Sequence, residues 1–483
     1  MSLEVLSVAS EVYPIVKTGG LADVAGALPA ALKAADVSMK TLLPGYPSVL
    51  KQVGEGETVA KFDDLLGIEA EVRAVRIDGL DLLVLFAPPL YDREGGPYLT
   101  AFGYDHEDNW HRFAAFSLAA AKIAEGAIEG YKPDILHAHD WQAALAPVYL
   151  AFSKNRSVRT VLTIHNLAFQ GNFPASIFDK LGLPPEAFSI DGVEFYGNVS
   201  FMKGGIFAAD RVTTVSPTYA REIVTEEGGM GLGGLLRERG DAVSGIVNGI
   251  DTEAWNPEHD ERLARNYGPS ALEGRSANRD ALIAEMGLEP SDDPIIAIVS
   301  RLTWQKGLDI VADTAEAIIE KGARLVVIGT GDAQIEGALQ KLSVRHRGKI
   351  GARIRYDEGL SHRIQAGADA ILIPSRFEPC GLTQLYGLRY GCIPMVSRVG
   401  GLADTVIDAN YAARQAGCAT GIIFDEAAPA SILTAVDRLI EIYRNPDEWR
   451  KMQEAAMAND VSWTTSARLY SDLYLDVMKD DAR

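Results

Sequence analysis

Along nearly all of this 483-residue chain, short runs rich in valine, isoleucine and leucine alternate with longer stretches patterned for helices. The strand-like runs of the first half include "EVLSVA", "MKTLLP", "DILHAHD", "TVLTIHN", "RVTTVS" and "GIVNG". Those of the second half include "IIAIVSR", "RLVVIGTG", "ADAILIPS", "IPMVS" and "GIIF". Such alternation is satisfied by βαβ units, whose parallel sheets carry helices on both faces. Several runs are apolar throughout, as strands covered on both faces should be.

A polar region from about Asn248 to Pro294 breaks the rhythm and separates two series of similar length. A chain this long exceeds what one hydrophobic core supports. Two Rossmann-like domains joined near residues 246–250 are therefore expected, related by architecture and not by visible sequence repeats. Near the end, Trp463, Ala467, Tyr470, Tyr474 and Val477 recur at helical spacing and define one apolar face, which either domain could cover.

Charge narrows the partners. The formal net charge is −20, which disfavours nucleic acid and anionic membranes. An anionic ligand would need a local island of bases and backbone N–H groups. Cys380, Cys392 and Cys418 form no disulfide framework and no C-x-x-C pair, which fits a reducing compartment. The opening "MSLEVLSVASEVYP" lacks the basic region of a signal peptide. No apolar run reaches the ~18 residues of a membrane helix; "AAFSLAAAKIAEGAI" is broken by Lys122 and Glu125. A cytoplasmic protein is expected.

Ligands of open α/β sheets sit beyond the C-terminal ends of the strands. Five stretches leave strands there. "KTGGLADV" offers Lys17, the backbone of Gly19 and Gly20, and Asp23 in the first turns of a helix. It reads as an anion site or as an ordinary βα turn, and it is neither G-x-G-x-x-G nor a Walker loop. "HAHDWQ" holds His137, His139 and Asp140. The two histidines are expected on opposite faces of their strand, unable to share a metal, and Asp140 is the better functional candidate. "TIHNLAFQG" places His165 and Asn166 at the next strand end. In "VSRLTWQKG", Arg301 can grip two phosphate oxygens and Lys306 adds a compact charge. In "PSRFEPCGLTQ", Glu378 lies ahead of the N–H groups of Cys380, Gly381, Leu382 and Thr383, where it could cap the helix or hold sugar hydroxyls.

Together these stretches resemble the bacterial glycogen synthases and plant starch synthases, retaining glycosyltransferases of the GT-B fold. Further matching pieces are "GGPY", "TVSPTYAREI", "GIVNGID", "QLYGLRYG", "VGGLADTV" and the terminal "SW" with "SARLY", all in the family's order. The resemblance implies two Rossmann-like domains with parallel sheets facing across a deep cleft: residues 1–246, 247–455, and a helix over 456–483 crossing back to the first domain. It implies closure on the ligand about a hinge near 246–250.

It also implies transfer of glucose from ADP-glucose to the non-reducing end of glycogen or another α-1,4-glucan, with retention and without metal or other cofactor. Lys17, Gly19, Gly20 and Asp23 would meet the donor from one side, and Arg301 and Lys306 its diphosphate from the other. Glu378 would hold glucose hydroxyls, His165 would bond the glucose, and Asn248 would contact the sugar. Tyr356 would stack on adenine, the amides of Cys380 to Thr383 would reach the phosphates, and Asp140 would line the acceptor side. No second carboxylate is placed as a nucleophile, which favours front-face attack.

Three features depart from the family's pattern: Phe169 in place of tyrosine, a loop over 225–231 without proline, and His106–Glu107 in place of a more aromatic pair. Tyr386 stands where the wider GT-B group often has a second glutamate. UDP-glucose as donor and a glucan-binding protein without activity are the rival readings. A nicotinamide dehydrogenase would need G-x-G-x-x-G after a strand, which is not found.

Overall fold

The computed structural model describes residues 3–153 and 158–479. The chain divides into two compact units, Met1–Asn248 with Trp463–Arg483, and Gly249–Ser462.

The first unit is built on a nine-stranded sheet. Its spatial order runs Val243–Gly245, Arg211–Thr214, Arg159–Ile164, Ile135–His139, Leu3–Val8, Val37–Pro44, Leu80–Phe86, Ala70–Ile77, Glu57–Phe62. The first seven pair in parallel, and the last two join antiparallel. This edge is absent from the sequence reading, which followed continuous apolar runs. Glu57–Phe62 and Ala70–Ile77 instead mix charged and apolar residues, as antiparallel strands with one wet face do. The available signal was Asp78–Gly79: both have positive φ (50° and 78°), the hairpin turn that an Asp-Gly pair favours.

The second unit holds six parallel strands in the order Ile350–Arg353, Arg324–Ile328, Ile295–Val299, Ala370–Ile373, Ile393–Ser397, Ile422–Phe424. Numbered along this unit, that is 3-2-1-4-5-6, the doubly wound Rossmann order. The order reverses between Ile295–Val299 and Ala370–Ile373. In the first unit the equivalent switch lies between Leu3–Val8 and Ile135–His139. Chains leave a switch point in opposite directions, so the strand ends there open a crevice.

The sequence reading sets the second crossing of the chain at residue 455; in the structure it falls after Ser462. The reason is the helix Pro446–Met457, whose Trp449, Met452 and Ala456 are buried in the core of the second unit. The last helix, Thr464–Lys479, packs on the first unit. Trp463, Ala467, Tyr470, Tyr474 and Val477 are buried against Val5, Leu28, Met39 and Ile135. Each such side chain contributes roughly 1.5–3 kcal/mol, enough to hold a helix of marginal stability on its own.

Candidate active site

At the switch point of the second unit, two loops are fastened together. The first leaves Ile295–Val299 and carries Arg301 and Lys306; the second leaves Ala370–Ile373 and carries Glu378. Lys306 Nζ donates to Glu378 Oε2 at 2.5 Å, and Ser375 Oγ donates to the same oxygen at 2.8 Å. Arg376 makes a bidentate pair with Asp309, 2.7 Å on each arm, and its N–H donates to Gln305 O at 2.9 Å. Gly307 has φ +69°, and a Cβ there would stand 2.0 Å from Pro374 O. Only glycine lets the two backbones approach this closely.

Arg301 is exposed, and its guanidinium has no hydrogen-bond or ion-pair partner among the described residues. Its loop is held from the other side as well, because Leu302 N–H donates to Thr330 O and Asp332 N–H to Leu302 O. The sequence reading passed over this "GTGD" turn, although glycines at a strand end were its signal.

Beyond Glu378 the chain turns through Gly381, φ +76°, into the helix Thr383–Tyr390. Gln384 Nε2 donates to Cys380 O (3.1 Å) and Gly381 O (2.9 Å), which shapes the turn. Cys380 is buried, while Gly381, Leu382 and Thr383 lie at the half-buried start of the helix. Gly400 and Gly401 back this loop: a Cβ on Gly400 would lie 1.9 Å from Glu378 O. Tyr356 follows the edge strand Ile350–Arg353 and is 73% exposed, its hydroxyl donating to Glu378's distant namesake Glu358 at 3.1 Å. That strand lies two places from Ile295–Val299, about 10 Å across the sheet.

The first unit has its own strand-end cluster. The Lys17–Gly20 loop caps the helix Gly20–Leu32, with Lys17 Nζ donating to Asp23 Oδ1 at 2.7 Å. Beneath it sits Glu11, 2% exposed, a residue the sequence reading did not single out. Its carboxylate accepts from the N–H and hydroxyl of Thr18, from Gly19 N–H at 3.2 Å and from the Tyr98 hydroxyl at 2.5 Å. In this structure the Gly19 amide is thus engaged by Glu11. Asp23, in the first turn, is engaged by Lys17.

Asp140 ends the strand Ile135–His139 with φ +55°, buried. Its Oδ1 accepts from His165 N–H at 2.7 Å and Asn166 N–H at 3.4 Å. Burial pushes its carboxyl up to about 7, against the pull of those two N–H groups, and the charge of Glu11 adds to the rise. His165 Nε2 lies 3.0 Å from His139 Nδ1, and burial with the neighbouring His139 holds His165 well below the usual histidine range. Thus Glu11, Asp140, His139 and His165 form one cluster.

His137 and His139 do not face opposite ways. Residues two apart on a strand share a face, and their rings meet at a tilt with centroids 4.2 Å apart. His137 is occupied on both nitrogens, by Tyr474 OH (2.8 Å) and Thr163 Oγ1 (2.6 Å). No three His, Cys, Asp or Glu side chains gather as metal ligands among the described residues. Asn248 is buried with Oδ1 unpartnered, an acceptor left over by the fold. Two departures from the family pattern meet here: Gln170, next to the exposed Phe169, donates to Met230 O at 3.0 Å in the 225–231 loop.

Comparison with known proteins agrees with this geometry. Residues 4–238 match the starch synthase catalytic domain, and residues 282–457 match the glycosyl transferases group 1 family. A glycogen synthase of Novosphingobium aromaticivorans is 54% identical, with all of both chains covered. Glycogen synthase 1 of Rhizobium meliloti is 56% identical over 98% of each. The catalytic domain of Arabidopsis thaliana starch synthase IV, solved with ADP and acarbose, superposes with a TM-score of 0.90 at 31% identity, over 99% of this chain and all of that one. A sucrose-phosphate synthase of Thermosynechococcus elongatus shares the fold, with a TM-score of 0.61 at 16% identity over 98% of this chain and 99% of that one. No described helix is long and apolar enough to cross a membrane. With paired Rossmann-type units, bases at a switch point and these relatives along its whole length, the chain belongs to the glycogen and starch synthase family of GT-B glucosyltransferases.

Proposed function

We propose that this glucosyltransferase of glycogen biosynthesis uses ADP-glucose as donor and the non-reducing end of an α-1,4-glucan as acceptor, without metal, in the cytoplasm. The observation that carries the reading is the switch point of the second unit. There Arg301, its guanidinium unpartnered among the described residues, lies on the same loop as Lys306, which pairs with Glu378, in a protein of net charge −20. Two bases fixed at a strand end suit a diphosphate, and their charges count most as the leaving nucleotide gains charge. The ADP bound to the plant starch synthase supports the adenine nucleotide, and its acarbose supports a glucan acceptor.

Roles follow for the remaining residues. Glu378, buried and already an acceptor for Lys306 and Ser375, has lone pairs left for glucose hydroxyls. The amides of Gly381, Leu382 and Thr383 would take phosphate oxygens at the start of their helix, with buried Cys380 shaping the turn, and Tyr356 would stack on the base. Lys17, with Gly19, Gly20 and Asp23, would meet the donor, as would Asn248 through its unpartnered oxygen. His165 would bond the glucose and steady the oxocarbenium-like state, and Asp140 would line the acceptor side. Transfer proceeds by front-face attack. The acceptor hydroxyl bonds to the anomeric carbon on the face the phosphate leaves, and the departing phosphate oxygen takes the acceptor's proton. One C–O bond forms, one breaks, and configuration is retained.

The test is incorporation of glucose into glycogen from ADP-glucose and from UDP-glucose, each with excess EDTA. The expected result is EDTA-resistant transfer preferring ADP-glucose. Preference for UDP-glucose would overturn the donor, sensitivity to EDTA the metal-free reading, and tight glycogen binding without transfer the activity.

A further inference from the structure

His139 is the one member of the strand-end cluster of the first unit with no assigned task. It is fully buried and lies on the same strand that delivers Asp140. One ring nitrogen, Nδ1, faces His165 Nε2 at 3.0 Å; the other, Nε2, is buried without a partner among the described residues. A neutral imidazole has one N–H and one lone pair, and only one proton can lie between the two rings.

Two arrangements satisfy the contact. If His165 Nε2–H donated, His139 would carry its own proton on Nε2, and a buried N–H would be left with no acceptor. If His139 Nδ1–H donates, the stranded group at Nε2 is only a lone pair. Orphaned buried N–H groups are the rarer case, because they forfeit a directed bond to water. Burial holds both rings below the usual histidine range, so neither is doubly protonated near neutral pH.

We propose that His139 is a positioning residue that fixes the tautomer of His165: by donating from Nδ1 to Nε2, it leaves Nδ1–H as the only donor His165 can offer a sugar oxygen. The proposal rests on the reading of His165 as the residue that bonds the glucose. His139 is itself clamped, its ring packed at a tilt against that of His137, centroids 4.2 Å apart, and the nitrogens of His137 are tied to Thr163 and to Tyr474 of the last helix. The dyad therefore cannot relax by rotating the His139 ring without disturbing that contact.

The test joins a spectroscopic and a kinetic readout on the full-length protein. In ¹⁵N-histidine spectra, assigned with His165→Gln, the account expects a protonated Nδ1 and a bare Nε2 at His165. His139→Asn keeps a donor near the Nδ1 position and should hold kcat within about threefold. His139→Asp presents only acceptors, and His139→Phe presents nothing. His139→Asp should hold His165 in the other tautomer and lower kcat on the order of 100-fold, the cost of one lost transition-state donor, with KM for ADP-glucose moved less than about threefold. His139→Phe leaves both tautomers open and should lose less kcat than His139→Asp. Thermal midpoints measured alongside separate this from misfolding. A protonated Nε2 in the wild type overturns the proposal even if no variant folds. If His165→Gln loses activity while folded His139→Asp and His139→Phe do not, the proposal fails but the role of His165 stands. If His165→Gln keeps its activity, the underlying reading fails first.

Discussion

Replacing Lys306 by methionine removes an ammonium and keeps its stem, so the loss can be worked from what Glu378 has left. The carboxylate is 6% exposed and would retain only the Ser375 hydroxyl at 2.8 Å. Deleting one partner of a buried ion pair costs about 3–5 kcal/mol, because the other charge stays buried and uncompensated. With Ser375 remaining, the low end applies, about 3 kcal/mol. In a unit of this size each kcal/mol shifts the thermal midpoint by about 2–4 °C, so Lys306→Met should melt roughly 6–12 °C lower. Adding Glu378→Gln removes the stranded charge and should bring the midpoint back to within about 2–4 °C of wild type. Turnover should not return, because the diphosphate has still lost its lysine and the sugar its carboxylate. Thermal scans and a glucose-transfer assay on wild type, Lys306→Met and the double variant decide it. A Lys306→Met protein melting within 2 °C of wild type, or a double variant that regains turnover, refutes the reasoning.

Four further outcomes follow from the same geometry. Asp140 is raised by burial from 3.8 to about 7, so the fold disfavours its charged form; stability is lost as pH rises through that window and is whole below it. Asp140→Asn should therefore exceed wild type by about 2–4 kcal/mol at pH 8, tolerating the φ of +55° as asparagine does. The gap should close by pH 4, and a pH-independent gap in denaturant titrations would contradict the assignment. Gly307→Ala, with its Cβ 2.0 Å from Pro374 O, should lose at least about 2 kcal/mol and most transfer activity. Gly19→Ala, at φ −149° with nothing within 4 Å of its Cβ, should stay within about 0.5 kcal/mol of wild type by the same titration. Glu11→Gln weakens the charge-assisted bonds to Thr18 and Gly19, and hydrogen exchange at those two amides should accelerate by roughly tenfold or more.

Much of this architecture was legible because burial on both faces leaves a mark: the runs Ile295–Val299 and Ala370–Ile373 are apolar, and strand ends then mark where ligands go. Arg301, Lys306 and Glu378 could be found that way. What the sequence could not show is which of them touch. Lys306 and Glu378 are far apart in the chain, and their 2.5 Å contact depends on the switch in strand order. Glu11 was illegible for another reason, since a carboxylate beside a strand reads as a surface residue until the loop over 17–20 folds onto it. The histidine pair shows how a register error propagates: His137 and His139 share a face, and only that shared face puts His139 against His165.

The central claim of the proposed function is that Arg301 and Lys306, at the switch point of the second unit, act on one transition state. It is tested most directly by single-turnover transfer from ADP-glucose to a short α-1,4-glucan with Lys306→Ala, Arg301→Ala and the double variant. Each single change should slow transfer on the order of 100-fold or more. The double variant should be slowed by clearly less than the product of the two, because groups acting on one transition state are not additive. Fully multiplicative losses, or an Arg301→Ala protein that transfers at the wild-type rate, would contradict the account.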